Sequence, residues 1–176
     1  MIRIDGNALR AAGDLAVELI VSRTLEGRDR FGRPFAPYST RPYALPAGAL
    51  WAQGSRTAAR RLKQQGQIGY FRRQGKLWAI VKGGYRAYKE ARLGQGDQVN
   101  LTLTGSMLRS LRVLRVDERE GSVTIGFGRT DAAEKAYYHV VSGAGPSRTI
   151  RDFLGLTDEE LDRVAEVIAR GIRFEL

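Results

Sequence analysis

A chain of 176 residues with a net charge of +10 has room for one ordinary core, and the way its charge is distributed matters more than the total. The absence of cysteine excludes disulfides and thiolate metal sites, and a single histidine, His139, excludes a multi-histidine metal site. No run of about 18 apolar residues occurs, so neither a membrane span nor a membrane partner is expected.

Met1-Ile2-Arg3-Ile4-Asp5 lacks the basic-then-apolar pattern of a secretory leader, so synthesis in a cytoplasm is expected. Residues 22–98 carry sixteen Lys/Arg against four Asp/Glu, whereas residues 1–21 and 99–176 each sum to −1. One strongly basic segment therefore interrupts a near-neutral framework, which points it at an acidic partner, either nucleic acid or an acidic protein surface.

In chain order, Ile2 and Ile4 predict a short edge strand. Asp5 or Asn7 caps a helix over about Ala8–Arg23, with Leu9, Ala12, Ala16, Leu19 and Ile20 near one face. Prolines 34, 37, 42 and 46 fix φ and withhold amide donors, which predicts an extended, irregular arm to about Leu50. Ser55 is placed to cap a short helix over 56–65 whose face is basic rather than apolar. Ile68–Phe71 and Leu77–Val81 read as a hairpin joined by Arg72–Gly75, and Tyr85, Tyr88 and Leu93 as a helical turn or two. Leu101 and Leu103 alternate with threonines and lead into a short helix over 105–111. Val113–Val116 and Val123–Phe127 predict an antiparallel pair, and Ala132–Val141 a helix.

The closing stretch is the clearest. Thr157 and Glu160 have the spacing of a capping box, and Leu156 and Leu161 that of a hydrophobic staple. Asp158, Glu159 and Glu160 place negative charge in the first turn. Leu161, Val164, Ala165, Ile168 and Ile172 then recur at helical spacing, as in a helix docked on a core. The expected class is α+β: an antiparallel sheet with N- and C-terminal helices packed on one side, forming one domain over 1–176. A basic, proline-containing arm and hairpin are inserted at about 41–98.

Signals for catalysis are weak. His139 lies within Tyr137-Tyr138-His139-Val140-Val141 and reads as a packed or surface histidine rather than a general base. Gly126-x-Gly128 and Gly143-x-Gly145 lack the third glycine of a dinucleotide fingerprint. Asp117, Glu118 and Glu120 cluster at one hairpin tip, whereas cation ligands usually converge from separate elements. No enzyme activity, metal or cofactor is expected. The stronger signal is Arg56, Arg60, Arg61, Lys63, Arg72, Arg73 and Lys76, which are interleaved with Trp51, Tyr70, Phe71 and Trp78. Basic residues among aromatics suit contact with nucleic acid or an acidic partner. No base-reading motif accompanies them, so DNA contact is expected at phosphates.

Three blocks carry a resemblance. They are Gly32–Ser39 after the first helix; Leu101-Thr-Leu-Thr-Gly-Ser-Met-Leu-Arg-Ser-Leu111 with the Val123–Gly126 strand; and Ala136-Tyr-Tyr-His139 through Gly143 into Arg151-Asp-Phe-Leu-Gly-Leu-Thr-Asp158 and the last helix. Together they cover about half the chain and resemble the phage virion morphogenesis proteins, the neck and tail-completion proteins that join head to tail. The stretch from about Pro42 to Gln98 is longer than that family's connection. The resemblance implies a small α+β subunit in a homo-oligomeric ring, usually a hexamer. Such a ring sits in the virion between connector and tail proteins, DNA passes through it, and it has no catalysis and no cofactor. The alternatives are a stand-alone, sequence-nonspecific nucleic-acid-binding protein and, third, a small metal-dependent nuclease.

Overall fold

The computed structural model describes residues 2–174 apart from 53 and 146. In chain order the elements are β1 (Ile2–Ile4), α1 (Gly6–Leu25), β2 (Tyr43–Pro46), α2 (Ala47–Leu50), α3 (Arg56–Gln64), β3 (Ile68–Arg73), β4 (Lys76–Val81) and α4 (Gly84–Leu93). They continue with β5 (Leu111–Asp117), β6 (Ser122–Phe127), α5 (Thr130–Tyr137), α6 (Asp158–Ala169) and β7 (Ile172–Phe174). The fold is mixed α+β, and every strand pair among the described residues is antiparallel. The elements group into two compact units: Met1–Phe35 with Asn100–Leu176, and Ala36–Val99.

The first unit is built around α1. Asp5 caps it, its Oδ1 accepting the Asn7 amide at 2.8 Å. Leu9, Ala12, Ala16, Leu19 and Ile20 form one buried face, as their spacing predicts. Gly13 lies where the β5–β6 hairpin meets the helix. A Cβ there would stand 2.6 Å from Val123 Cγ1 and 2.7 Å from Val113 Cγ2, so the glycine lets the hairpin bed onto the helix. A register shift between Val113 and Arg115 bulges β5 and leaves Leu114 half exposed. β1 pairs with β7 in a separate two-stranded sheet, Arg3 opposite Arg173.

α6 packs against α1, and its capping box is formed. Thr157 Oγ1 accepts the Glu160 amide at 3.2 Å, and Glu160 Oε2 accepts the Thr157 amide at 2.8 Å. The expected docking stripe is only partly covered. Val164, Val167 and Ile168 are half-buried, while Leu161 and Ala165 are exposed and Ile172 belongs to β7. With α1 on one side only, a stripe that wide cannot all be buried. The helix expected over 132–141 is α-helical only to Tyr137 and then widens into a π-turn at Tyr138–Ser142. The helix expected over 105–111 is a 3-10 turn, Leu108–Ser110, because Leu111 already begins β5.

In the second unit the strand order is β2-β4-β3. The proline-bearing stretch is not an irregular arm throughout, since Tyr43–Pro46 pairs with Val81–Trp78 and Ala47–Leu50 is helical. Pro46 is tolerated because β2 is an edge strand. The predicted hairpin forms with a tighter connection. Gln74 (φ 51°) and Gly75 (φ 73°) make a two-residue turn with both central residues left-handed, so Arg72 and Arg73 lie in β3 and not in the loop. Leu45, Ala79 and Val81 share one sheet face and are buried under the helices; Ala58, Ala59 and Leu62 of α3, Leu50 of α2 and Tyr88 and Ala91 of α4 complete this core.

Gly84 opens α4 at φ +74°, and a Cβ there would meet the Ser39 and Arg41 carbonyl oxygens at 2.4 and 2.5 Å. Gly84→Ala is therefore expected to destabilise this unit by more than about 2 kcal/mol, from a left-handed conformation compounded by a backbone clash. Both tryptophans lie in this unit, so urea unfolding followed by tryptophan fluorescence reads the effect. An unchanged midpoint would contradict the close approach.

Candidate nucleic-acid interface

The unit boundary separates the charge more sharply than the sequence windows do. Residues 36–99 hold twelve Lys/Arg and two Asp/Glu, while the rest of the chain holds seventeen of each. The whole net charge of +10 therefore belongs to the second unit. Its two carboxylates are already engaged: Asp97 pairs with Arg86 at 2.6 Å, and Glu90 Oε2 accepts the Gly96 amide at 2.7 Å. Lys89 is fully buried, its Nζ donating to Tyr38 Oη at 2.9 Å and the Gln98 carbonyl at 3.0 Å. It also lies 4.5 Å from the Tyr38 ring centroid. That buried lysine holds the unit together and is not part of its charged surface.

All seven candidate cations are exposed, and among the described residues none forms an ion pair. They fall into two groups. Arg56, Arg60, Arg61 and Lys63 stand on α3, opposite a small apolar face of Ala58, Ala59 and Leu62 that the sequence reading overlooked. Arg56 Nε donates to the Trp51 carbonyl and Arg61 Nη1 to the Ala91 carbonyl, both at 3.2 Å, which steadies their stems against the unit. Ser55 does not cap α3 through its side chain; its hydroxyl instead lies 3.2 Å from Tyr88 Oη in the core. Arg72, Arg73 and Lys76 stand at the end of the β3–β4 hairpin. Here the sheet is only two strands wide, because β2 stops opposite Trp78.

The interleaved aromatics divide between two roles. Trp51 Nε1 donates to Tyr70 Oη at 3.1 Å, tying α2 to the sheet. Phe71 and Trp78 are stacked, with ring centroids 6.4 Å apart and planes at 23°. A tyrosine cluster that sequence reasoning missed fills the other end of the unit. Tyr85 lies 5.1 Å from Tyr38 and 5.4 Å from Tyr43, centroid to centroid. Burial, with neighbouring tyrosines, holds the Tyr43 and Tyr85 hydroxyls above the usual tyrosine pKa, so they stay protonated.

The other sequence candidates have structural partners. Asp117 Oδ1 accepts the Arg119 and Glu120 amides at 3.1 and 3.2 Å, and Oδ2 pairs with Arg115. The Glu120 amide first, then Arg115 and the Arg119 amide, hold its carboxyl below the usual range against an opposing desolvation, and it closes its own turn. Among the described residues no group of three or more metal-binding side chains is present. Gly143, at φ +77°, passes so close to the Arg148 carbonyl that a Cβ would lie 2.1 Å from its oxygen, a backbone requirement rather than a phosphate cradle.

His139 is largely buried in the π-turn, and burial, with Arg151 nearby, pushes its pKa down to about 4. This makes stability pH-dependent with a definite sign. Above about pH 6.5 the imidazole is neutral in both states; between 6.5 and 4 only the unfolded chain takes up the proton, so stability falls as pH drops and levels off below 4. The loss is on the order of 3 kcal/mol. Urea unfolding of wild type and His139→Asn across this range should show the extra slope in wild type alone, and parallel curves would contradict it.

No protein-family model matches this chain, nor does any curated protein or solved structure.

Proposed function

We propose that the chain is a structural subunit of a tailed-phage virion, a neck or tail-completion ring component whose basic unit contacts the phosphates of passing DNA. The observation that carries this reading is the confinement of the full +10 to one separately cored unit, whose seven candidate cations are exposed and, among the described residues, form no ion pair. A phosphate backbone is the partner such a surface fits, and the contact is independent of sequence.

The neutral unit supports assembly over the stand-alone nucleic-acid-binding reading. It exposes Leu25, Phe31, Tyr137, Tyr138, Val141, Ile150 and Leu161 to between 42% and 58%, and the Tyr137 and Tyr138 rings stand together with centroids 6.2 Å apart, apolar surface that a neighbouring subunit would cover. Partners are then further copies in a closed heterologous ring, a hexamer by the resemblance, together with adjoining connector and tail proteins. Among the described residues no helix is long and apolar enough to cross a membrane.

Electron microscopy of filled particles carrying an affinity tag on this chain tests the reading. Label at the head–tail junction is the expected result. Complete particles without label, with the chain recovered only in the soluble fraction, would overturn it.

A further inference from the structure

The second unit's sheet has two unequal faces. One is buried under the helices through Leu45, Ala79 and Val81. The register places Gly69 with Ile80, Phe71 with Trp78, and Arg73 with Lys76 in successive rows on the other face. The Phe71–Trp78 pair is stacked at 23°, Phe71 is 38% exposed, and Trp78 and Ile80 are half-buried. A Cβ at Gly69 would stand 2.9 Å from Ile80 Cγ2, so the missing side chain leaves the row before the rings low. Beyond the rings the face ends in two exposed cations with no ion pair among the described residues.

From this arrangement we infer that the outer face of the β3–β4 hairpin is a stacking platform for unpaired bases of single-stranded nucleic acid. Bases lie on Phe71 and Trp78, and the flanking phosphates lie against Arg73 and Lys76. Aromatic rings beside cations bind single strands because every base has a π-face, and the contact tolerates any sequence. A duplex hides those faces in its own stack, so the rings contribute nothing to it. An acidic peptide satisfies the cations but leaves the rings unused. The inference rests on reading this unit as the nucleic-acid contact, and adds that it engages bases as well as phosphates.

In a Trp51→Phe chain, Trp78 is the one remaining tryptophan, so its fluorescence reports the platform directly. Titration with an oligothymidine of about fifteen nucleotides should quench it saturably, whereas a duplex of equal length and polyglutamate should not. In the same background, Phe71→Ala should weaken oligothymidine binding about tenfold, read by anisotropy of a labelled oligomer, with the thermal melt unchanged. Equal quenching by duplex, or by polyglutamate, overturns the platform in favour of the groove of a duplex or a protein partner. Salt-dependent DNA binding with no Trp78 response overturns the platform and leaves phosphate contact standing. Absence of any binding overturns both.

Discussion

Arg23→Ala is expected to cost about 3–5 kcal/mol, a large part of the stability of a domain this size. Arg23 is 6% exposed on α1, and its guanidinium pairs with the Glu160 carboxylate. It also donates to the carbonyls of Phe153 at 3.1 Å and Gly155 at 2.7 Å. One side chain thus joins α1 to the Phe153–Gly155 segment before α6 and to the capping box of α6 itself. Truncating it takes the cation from a carboxylate whose side chain is only 12% exposed and which keeps the Thr157 amide, and it leaves the Phe153 and Gly155 carbonyls without that donor. Arg163→Ala, on the exposed side of α6, should change stability by no more than about 0.5 kcal/mol. Because both tryptophans lie in the other unit, helix content by circular dichroism is the signal to follow in urea. Equal midpoints for the two variants would show that the clamp does not hold the framework together.

What could be read from the sequence was local. The Thr157–Glu160 box and the α1 face depend on residues within one or two turns of each other, and the hairpin strands on neighbouring runs. All of these formed. The Arg23–Glu160 clamp spans 137 positions, and nothing near Arg23 distinguishes it from a surface arginine at a helix end. β2 was hidden for a related reason. Four residues ending in proline carry no strand pattern of their own, and they are held by pairing with β4, more than thirty positions later. The tyrosine cluster likewise exists only once α4 folds back on the 38–43 stretch. The seven candidate cations could be found by composition, because exposed charge needs no partner to be recognised. Their division between α3 and the hairpin end depended on a turn two residues shorter than the sequence reading allowed.

Separation of charge from framework also sets the largest effect on binding. Arg56, Arg60, Arg61 and Lys63 lie on the exposed side of α3, whose docking is through Ala58, Ala59 and Leu62. Replacing all four cations with glutamine removes positive charge without touching that face, so the melt should stay near wild type. Each phosphate contact contributes a slope of about 0.9 in log affinity against log salt, so four lost contacts flatten it by about 3.6. Near 0.15 M salt the same loss lowers affinity on the order of a thousandfold. The deciding measurement is therefore the affinity of wild type and of Arg56→Gln/Arg60→Gln/Arg61→Gln/Lys63→Gln for one DNA duplex of arbitrary sequence across a salt series, with a thermal melt of each. A normally folded variant with a much shallower salt slope and little residual affinity is the predicted result. A normally folded variant that binds as tightly as wild type, with the same slope, would contradict the assignment of this unit to DNA phosphates.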